Sequence, residues 1–459
     1  MSFPTELITK YGLAGPRYTS YPTALQFHEG FDAEAYRRHV QYSNDDLIPR
    51  SLSLYVHLPF CKSLCYYCGC NKKVTRNMSM ADGYLQHLER EIEMQGRLFD
   101  SDRKVIQLHF GGGTPTYHDD EQLQHLIGLL SRHFFLSRSE EREFSIEIDP
   151  RTVDNERIAR LEDMGFNRVS MGIQDFDPAV QKAVNRIQDE DSTLGLIDAA
   201  RRSGFNSVSV DLIYGLPLQT AKSFETTIDS VLMARPNRIS VYNYAHLPNL
   251  FRAQRMIKTK EVPAAEVRLQ VLALTVNKLV GAGYVYIGMD HFALPDDELC
   301  IAMQEGSLQR NFQGYSTCST TDLVGMGVSA IGMVGDSFVQ NRKDIHAWQA
   351  AIDNDLLPVW RGISLSREDR LRRGVIAAVM CQGQVEFDHF ERKYDIDFGD
   401  HFALELESLR PLQDDGLIDM DEQNLNVTQT GLLLLRAIAM KFDEYLLNDK
   451  AGKAYSKVI

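Results

Sequence analysis

Short apolar runs alternate with amphipathic stretches through much of this 459-residue chain, and this alternation limits the possible folds more than any other feature. Runs rich in β-branched or aromatic residues predict six strands: residues 52–57, 105–110, 144–148, 168–173, 207–213 and 239–244. The segments between them have helical periodicity. Repeated βα units place their strands in parallel in one sheet, so we predict an α/β fold with a parallel sheet.

Two of the intervening helices have recognisable starts. Asp82 is the predicted cap of a helix that carries Leu88 and Ile92 on one face. Asp119 or Asp120 is predicted to begin the next helix. The apolar faces of both helices are interpreted as core.

The chain changes character after Trp360. Leu-rich helical segments at 400–412 and 429–447 flank a predicted hairpin formed by 417–421 and 425–427. Helices with a hairpin resemble a winged-helix DNA reader, but residues 364–459 hold 12 Lys/Arg against 18 Asp/Glu. A DNA reader needs a basic face, so we interpret this part as a lid or docking domain.

The composition limits which kinds of partner and which cellular compartment are expected. The formal charge of −14 argues against nucleic acid or an anionic membrane as a partner. No apolar run approaches the roughly 18 residues of a membrane span, and the N-terminus has no signal-like pattern, so we expect a cytoplasmic protein. Seven cysteines, four of them within ten residues, fit a reduced metal site better than a disulfide framework.

The loop after the first predicted strand holds three cysteines, Cys61, Cys65 and Cys68, with Cys70 close behind. Three thiolates at this spacing can hold three irons of a four-iron cluster and leave the fourth iron open to a small molecule. A tetrahedral zinc needs four protein ligands.

Polar residues follow the other predicted strands. In a parallel (βα) barrel the carboxyl ends of the strands share one rim, which carries the active site. The second strand leads into the triplet Gly111–Gly113 and Thr114, and the third carries Glu147. Gln174, Asp211 and Ala245 lie at or near later strand ends. The glycines allow close approach of the backbone to a ligand, and no phosphate-loop spacing is present.

Glu147 has two interpretations. Phe144, Ile146 and Ile148 alternate with it, so its carboxylate is predicted to face the barrel interior. The alternative is a structural buried acid paired with Arg168 or Arg186. Asp211 lies in an apolar strand in the same way and is a candidate for binding ribose hydroxyls.

Together these motifs resemble the radical S-adenosylmethionine superfamily and, within it, the oxygen-independent coproporphyrinogen III oxidases. The resemblance extends nearly end to end. It rests on the segments 15–23, 55–61, 68–71, 109–116, 147–151, 170–176, 211–217 and 310–315.

The resemblance implies a partial (βα)6 TIM-like barrel with parallel strands and a smaller, mostly helical C-terminal domain. The expected division is an N-terminal arm at 1–35, a barrel domain with its extensions at 36–362 and the C-terminal domain at 363–459. It also implies a [4Fe-4S] cluster on Cys61, Cys65 and Cys68, with Cys70 not a ligand.

The resemblance also implies the residues that surround the cofactor, S-adenosylmethionine, of which two molecules are expected. Tyr55 and Glu147 are the catalytic candidates. The cofactor-binding candidates are Tyr55, Gly112, Gly113, Thr114, Glu147, Gln174, Arg186, Asp211, Ala245, Phe312, Gln313 and Ile331.

The implied reaction converts two propionates of coproporphyrinogen III to vinyl groups, giving protoporphyrinogen IX, through a 5′-deoxyadenosyl radical. The expected partners are this substrate and a reduced electron donor such as flavodoxin or ferredoxin, and we expect a monomer. Arg17, Lys72 and Arg310 are candidates for binding the substrate carboxylates.

Two alternatives are kept. A haem-transferring paralogue would retain the cluster motif without decarboxylation. A non-enzymatic protein would hold a structural zinc on Cys61, Cys65, Cys68 and Cys70, although Cys68 and Cys70 are too close for a comfortable tetrahedral pair.

Overall fold

The computed structural model describes residues 4–12, 14–318 and 321–447, which divide into two compact units. The barrel unit comprises Phe27–Pro263 and Thr320–Ser364. The second unit combines Met1–Gln26, Ala264–Ser319 and Leu365–Ile459. The expected division at residues 35 and 362 stays a prediction.

Six parallel strands form the centre of the barrel unit. They are β1 (Ser51–Leu58), β2 (Lys104–Gly112), β3 (Glu143–Ile148), β4 (Arg168–Gln174), β5 (Ser207–Tyr214) and β6 (Arg238–Asn243). Each pairs in parallel with its predecessor, as repeated βα units require. All six predicted strands are confirmed, with ends shifted by one or two residues, and so is the partial-barrel fold class.

The sheet of this unit continues on the other side of β1. A seventh strand, β7 (Thr321–Met326), pairs in parallel with β1. Antiparallel strands Ile331–Val334, Ser337–Asn341 and Val359–Ser364 follow it. The sequence pattern did not distinguish the parallel strand β7 from the antiparallel strands beyond it, because short apolar runs carry no signal for strand direction.

Helices of the barrel unit connect the strands. Their bounds are Ala33–Asn44, Met78–Gly96, Asp120–His133, Asn155–Asp163, Pro178–Ala183, Glu190–Ser203, Ala221–Ala234 and Ile345–Asp353. Asp119 caps its helix as predicted, in a capping box with Gln122. The predicted cap Asp82 is wrong: Asn77 accepts from the backbone N–H of Ser79, so the helix begins at Met78.

The core of the barrel unit follows from the strand pattern. Leu54, Val56 and Leu58 of β1 are fully buried. Burial of each such side chain contributes roughly 1.5–3 kcal/mol. In β3, Phe144, Ile146 and Ile148 are buried while the residues between them are more open. This alternation directs the polar side chains of β3 to one face of the sheet.

The second unit is mainly helical and has its own core. Its helices are Thr5–Tyr11, Ala265–Gly281, Glu298–Gln304, Arg367–Ala377, Phe387–Tyr394, Phe398–His401, Ala403–Asp414, Leu435–Ala439 and Glu444–Leu447. Its short strands are Val285–Gly288, His291–Ala293, Gln309–Asn311, Gly314–Ser316, Gln384–Glu386, Ile418–Met420 and Asn424–Val427. The hairpin predicted around residues 422–424 is confirmed. Within the described ranges, no helix is both long and apolar enough to cross a bilayer.

Candidate active site at the carboxyl ends of the strands

Strand register brings the polar rim residues together. Tyr55 of β1 lies beside His109 of β2, which lies beside Ser145 of β3. Further along the sheet, Gly172 of β4 is beside Asp211 of β5. Strand pairing therefore brings residues that are far apart in sequence next to one another near the carboxyl ends of five neighbouring strands, where a parallel sheet binds its ligands.

The cysteine loop is held on both sides by the same unit. The backbone N–H of Tyr66 donates to Val184 O over 2.9 Å, and the Asn185 side chain donates to Leu64 O over 2.7 Å. On the other side, Gln254 Nε2 donates to Tyr67 O over 3.0 Å. These bonds fix the loop backbone, so the thiols are positioned by the fold.

The thiols of Cys61 and Cys65 have polar neighbours. Thr114 Oγ1 donates to Cys61 Sγ over 3.5 Å. The guanidinium groups of Arg186 and Arg151 lie 3.5 and 3.6 Å from Cys65 Sγ. Burial raises the pKa of the Cys61 thiol to about 11. Its thiolate therefore needs a nearby cation, which a bound metal supplies.

Cys68 and Cys70 interact so that their pKa values shift in opposite directions. A hydrogen bond from the Cys70 thiol lowers the pKa of Cys68 to about 6 against the effect of burial. The same interaction raises the pKa of Cys70. Lys72 Nζ donates to Cys68 O over 2.9 Å and adds positive charge there. The lowered pKa of Cys68 favours the thiolate form that binds metals, and the raised pKa of Cys70 favours a neutral thiol that donates a hydrogen bond.

Gly112 and Gly113 leave no room for a side chain, because other atoms of the protein lie too close to them. A Cβ on Gly113 would lie 2.5 Å from Pro59 O and 2.8 Å from Phe60 O, both backbone atoms. Gly112 has a positive φ of 117°, and a Cβ there would meet the His57 ring at 2.7 Å. Close contact of Gly113 with the backbone before Cys61 therefore joins the rim of β2 to the cysteine loop.

Glu147 is held at the rim by neighbours on β2. His109 Nε2 donates to Glu147 Oε1 over 3.1 Å, and the backbone N–H of Gly112 donates to Oε2 over 3.2 Å. Burial opposes ionisation, but these donors outweigh it and lower the pKa of Glu147. The alternative pairing is wrong. Arg186 instead contacts Asp149, and Arg168 lies 3.8 Å from Glu143.

Tyr55 is part of a second chain of contacts. Its hydroxyl lies 2.9 Å from His57 Nδ1, and His57 Nε2 lies 2.9 Å from Asn71 O. A carbonyl only accepts, so Nε2 carries the hydrogen and Nδ1 accepts from Tyr55. Burial lowers the pKa of His57, in keeping with a neutral ring. The Tyr55 ring also stacks on His109 at 5.8 Å.

Gln174 and Asp211 present polar groups that the fold does not fully satisfy. Gln174 has a positive φ of 70° at a bulge in β4, and its buried Oε1 has no hydrogen-bond partner among the described residues. Such an orphaned acceptor is typical of a site that binds a ligand. Burial, followed by the nearby charge of Glu147, raises the pKa of Asp211 to about 6. Ser170 Oγ donates to Asp211 over 3.2 Å.

Arg186 lies deep in the site. Its Nη1 lies 3.2 Å from Asp149 Oδ2, and its Nη2 also donates to Gly172 O. Arg151 Nη2 contacts the same Asp149 carboxylate over 2.6 Å. Burial opposes ionisation of Asp149, but the two guanidinium groups lower its pKa. Asp149 thus holds two cations beside Cys65.

These side chains surround one pocket of about 260 Å³. The sequence-predicted residues that line it are Cys61, Cys65, Cys68, Gly112, Gly113, Thr114, Glu147, Gln174, Arg186 and Asp211. Tyr55, Ala245 and Ile331 belong to the same unit but do not line this pocket. Phe312 and Gln313 lie in the second unit, at the turn of the hairpin 309–316.

Sequence reasoning missed several residues of the pocket and its support. Asp149, Arg151 and Ser170 line it without having been predicted as site residues. Cys70, expected not to be a ligand, and Lys72, expected to bind substrate carboxylates, line it as well. His57 and His109 hold Tyr55 and Glu147 without being predicted to do so. One available signal was the period of two along each strand, which puts His57 on the face of Tyr55 and His109 on that of Gly111.

The pocket fits a cluster and a polar cofactor. Four cysteines, Gln174 with its orphaned acceptor and three acidic residues line it together. Within the described residues, no three His, Cys, Asp or Glu groups converge as the ligands of a single ion do. Thiolates bound to separate irons of a cluster need not converge on one point.

The three candidates for binding substrate carboxylates differ in the contacts that they already make within the protein. Arg17 pairs with Asp290 over 2.7 Å in the second unit. Lys72 donates to Cys68 O. In the second unit, the Arg310 guanidinium lies 4.7 Å from the centre of the Tyr315 ring, and within the part of the chain that the structure describes its buried Nη1 has no hydrogen-bond partner. Arg310 therefore retains the clearest capacity to bind an anion.

Comparisons with known proteins show the family of the chain. Residues 55–231 match the radical SAM superfamily, and residues 365–434 match the HemN C-terminal domain. The oxygen-independent coproporphyrinogen III oxidase of Salmonella typhimurium is 49% identical over 453 residues, covering 99% of this chain and 98% of that protein. Its counterpart from Helicobacter pylori strain 26695 is 41% identical, with 99% of each chain covered.

A solved structure is similar over nearly the whole chain. It is coproporphyrinogen III oxidase from Escherichia coli, described as a radical SAM enzyme. The TM-score is 0.91 at 48% identity, and the match covers 96% of this chain and 99% of that one.

Proposed function

Because the chain belongs to the radical SAM superfamily and, within it, to the oxygen-independent coproporphyrinogen III oxidase family, we propose that it decarboxylates coproporphyrinogen III. Two propionate side chains become vinyl groups, and the product is protoporphyrinogen IX. Each propionate loses a β-hydrogen atom, carbon dioxide and one electron. The observation that carries the proposal is the set of three thiols facing a pocket with polar groups from the neighbouring strands.

The superfamily uses a [4Fe-4S] cluster and S-adenosylmethionine. When bound and reduced, they supply the 5′-deoxyadenosyl radical that removes the hydrogen atom. In our proposal Cys61, Cys65 and Cys68 bind three irons. Cys70 stays a neutral thiol that donates to Cys68, which its raised pKa supports.

The remaining residues bind and orient the cofactor in this proposal. Glu147 and Asp211 accept hydrogen bonds from its polar groups, and Gln174 uses its orphaned Oε1 in the same way. Gly112, Gly113 and Thr114 form the wall beside Cys61. Arg186 supplies positive charge near Cys65. Tyr55 and Glu147 are the proposed catalytic residues, and Ala245, Phe312, Gln313 and Ile331 are proposed to complete the binding of two S-adenosylmethionine molecules.

We also propose that the protein acts in the cytoplasm as a monomer and takes electrons from a reduced donor such as flavodoxin or ferredoxin. All seven cysteines are free, which is typical of a reducing compartment. The formal charge of −14 argues against a role in binding nucleic acid.

The deciding assay uses anaerobically reconstituted protein with dithionite, S-adenosylmethionine and coproporphyrinogen III. We expect 5′-deoxyadenosine and both vinyl products by mass spectrometry, and neither from a Cys65→Ser control. If cluster-replete protein made neither compound, the proposal would be wrong. Stoichiometric capture of added haem without turnover would favour the haem-transferring alternative.

A further inference from the structure

The segments that surround the cysteine loop have an unusual charge. Residues 60–77, 178–188 and 244–260 together hold ten Lys or Arg and no Asp or Glu. The whole chain has 49 basic and 63 acidic residues. A stretch of this total length is therefore expected to carry several acids, and it carries none.

These three segments are joined in the barrel unit. Val184 and Asn185 bond to the cysteine loop from one side, and Gln254 bonds to Tyr67 from the other. A Cβ on Gly69 would lie 3.2 Å from the Phe251 ring, so the third segment lies directly against the loop. The excess of positive charge is thus gathered around one functional feature.

Most of these cations are exposed. We call them the basic face: Lys62, Lys73, Arg76, Lys182, Arg252, Arg255, Lys258 and Lys260. Among the residues that the structure describes, only Lys258 of this set has an ion-pair partner, Glu261 at 2.9 Å. Lys72 and Arg186, the other two cations, are instead turned inward to Cys68 O and Asp149.

Exposed apolar side chains accompany the basic face. Ile187, Leu250 and Met256 are each at least 60% exposed. Ile187, Lys62 and Arg76 line one open pocket of about 610 Å³ beside the loop. Apolar side chains with a charged surround are the usual composition of a protein–protein contact surface.

We propose that the basic face is the docking surface for an acidic one-electron carrier protein that reduces the cluster. This inference rests on the proposed function, which needs one electron delivered from outside the chain. In the encounter the carrier is oxidised by one electron and the cluster is reduced by one electron. No bond forms and no proton moves.

Electrostatics decides where such a carrier approaches. A net charge of −14 repels an acidic protein at long range. The basic face attracts it next to Cys61–Cys70, so the attraction orients the carrier towards the cluster. Electron-transfer complexes are small and transient, and charge complementarity acts mainly on their association rate. The association rate is therefore expected to fall steeply with ionic strength.

The test uses charge reversal on both flanks of the loop. One variant is Arg76→Glu with Lys182→Glu, and the other is Arg252→Glu with Lys260→Glu. The matched control is Lys104→Glu with Arg202→Glu. Lys104 starts β2 and Arg202 lies in the last turn of the helix before β5, so both exposed residues lie at the opposite end of the strands.

Each variant is assayed with an acidic [2Fe–2S] ferredoxin, kept reduced by NADPH and its reductase, and separately with dithionite. With ferredoxin, kcat/KM for the carrier is expected to fall about tenfold or more in both flank variants, because charge complementarity raises association rates at least that far. Dithionite-driven turnover is expected to stay near the wild-type rate. Direct binding of oxidised ferredoxin, followed by surface plasmon resonance, provides a readout without turnover.

Unchanged ferredoxin kinetics and binding in both flank variants would overturn the inference. An equal loss in the Lys104/Arg202 control would assign the effect to net charge. A loss with dithionite would assign the basic face to substrate binding or cluster retention instead. Failure of the proposed function is separate, because wild-type protein would then make no vinyl product even with dithionite.

Discussion

His109 Nε2 lies 3.1 Å from Glu147 Oε1, so a side chain of β2 orients the carboxylate that projects from β3 into the pocket. The Gly112 N–H holds the second carboxylate oxygen. Both donors favour the ionised form, and Glu147 therefore faces the pocket as an oriented acceptor of hydrogen bonds.

Replacement of Glu147 by Gln should weaken S-adenosylmethionine binding. The variant keeps the shape but loses the charge, and a hydrogen bond to a charged group contributes about 1.5–3 kcal/mol. We expect affinity to fall tenfold or more in anaerobic equilibrium binding to cluster-loaded protein. Ser145→Ala is the control, because it removes the partner of His109 Nδ1 and leaves Glu147 in place. Equal losses of affinity in the two variants would show that the Glu147 carboxylate has no specific role in binding the cofactor.

Replacement of single cysteines should distinguish the three proposed cluster ligands from Cys70. Cys61→Ser, Cys65→Ser or Cys68→Ser should each abolish the cluster and turnover, because each removes the only protein ligand of one iron. Cys70→Ser should keep iron and sulfide at the wild-type level, since a hydroxyl can still donate to Cys68. Iron and sulfide analysis after anaerobic reconstitution measures this. Loss of the cluster in Cys70→Ser would reassign the ligands.

Gly113→Ala should displace the cysteine loop. The added Cβ would lie 2.5 Å from Pro59 O, and backbone atoms cannot move aside cheaply. Overpacking of this kind costs about 1–3 kcal/mol, measurable as a lower denaturant midpoint, and iron loading should fall with it.

Gly128→Ala is the matched control. Gly128 lies in the helix Asp120–His133, and a Cβ there meets nothing within 4 Å. Alanine is the better helix former by roughly 0.5–1 kcal/mol, so this variant should gain stability and load iron normally. Normal loading and stability in Gly113→Ala would show that the close contact does not position the loop.

Cofactor affinity should depend on pH through Asp211. Its pKa is raised to about 6, so the carboxylate predominates above pH 6 and is lost as the pH falls through that value. S-adenosylmethionine affinity should then drop by up to tenfold for each further pH unit, provided the carboxylate is the binding form. The Asp211→Asn variant should bind S-adenosylmethionine weakly, and its affinity should lack this pH dependence. Calorimetry with cluster-loaded protein between pH 5.5 and 8 tests it. An identical pH profile in both proteins would exclude Asp211 as its source.

The sequence by itself determined the order of the strands and the position of the three-cysteine loop after the first of them. Local periodicity and composition were sufficient, because the six βα units are consecutive and the three cysteines are close neighbours along the chain. The residues at the ends of β2, β3, β4 and β5 could be predicted for the same reason: in a parallel sheet, chain direction alone assigns those ends to one rim.

Only the tertiary structure decided which side chains contact one another. His109 with Glu147, Arg186 with Asp149 and Gln254 with Tyr67 join segments 37 to 187 residues apart, and such pairs depend on strand register and loop path, which local pattern does not encode. The gathering of three acid-free segments around Cys61–Cys70 has the same origin. Their composition was present in the sequence, but their shared position exists only after the strands have paired.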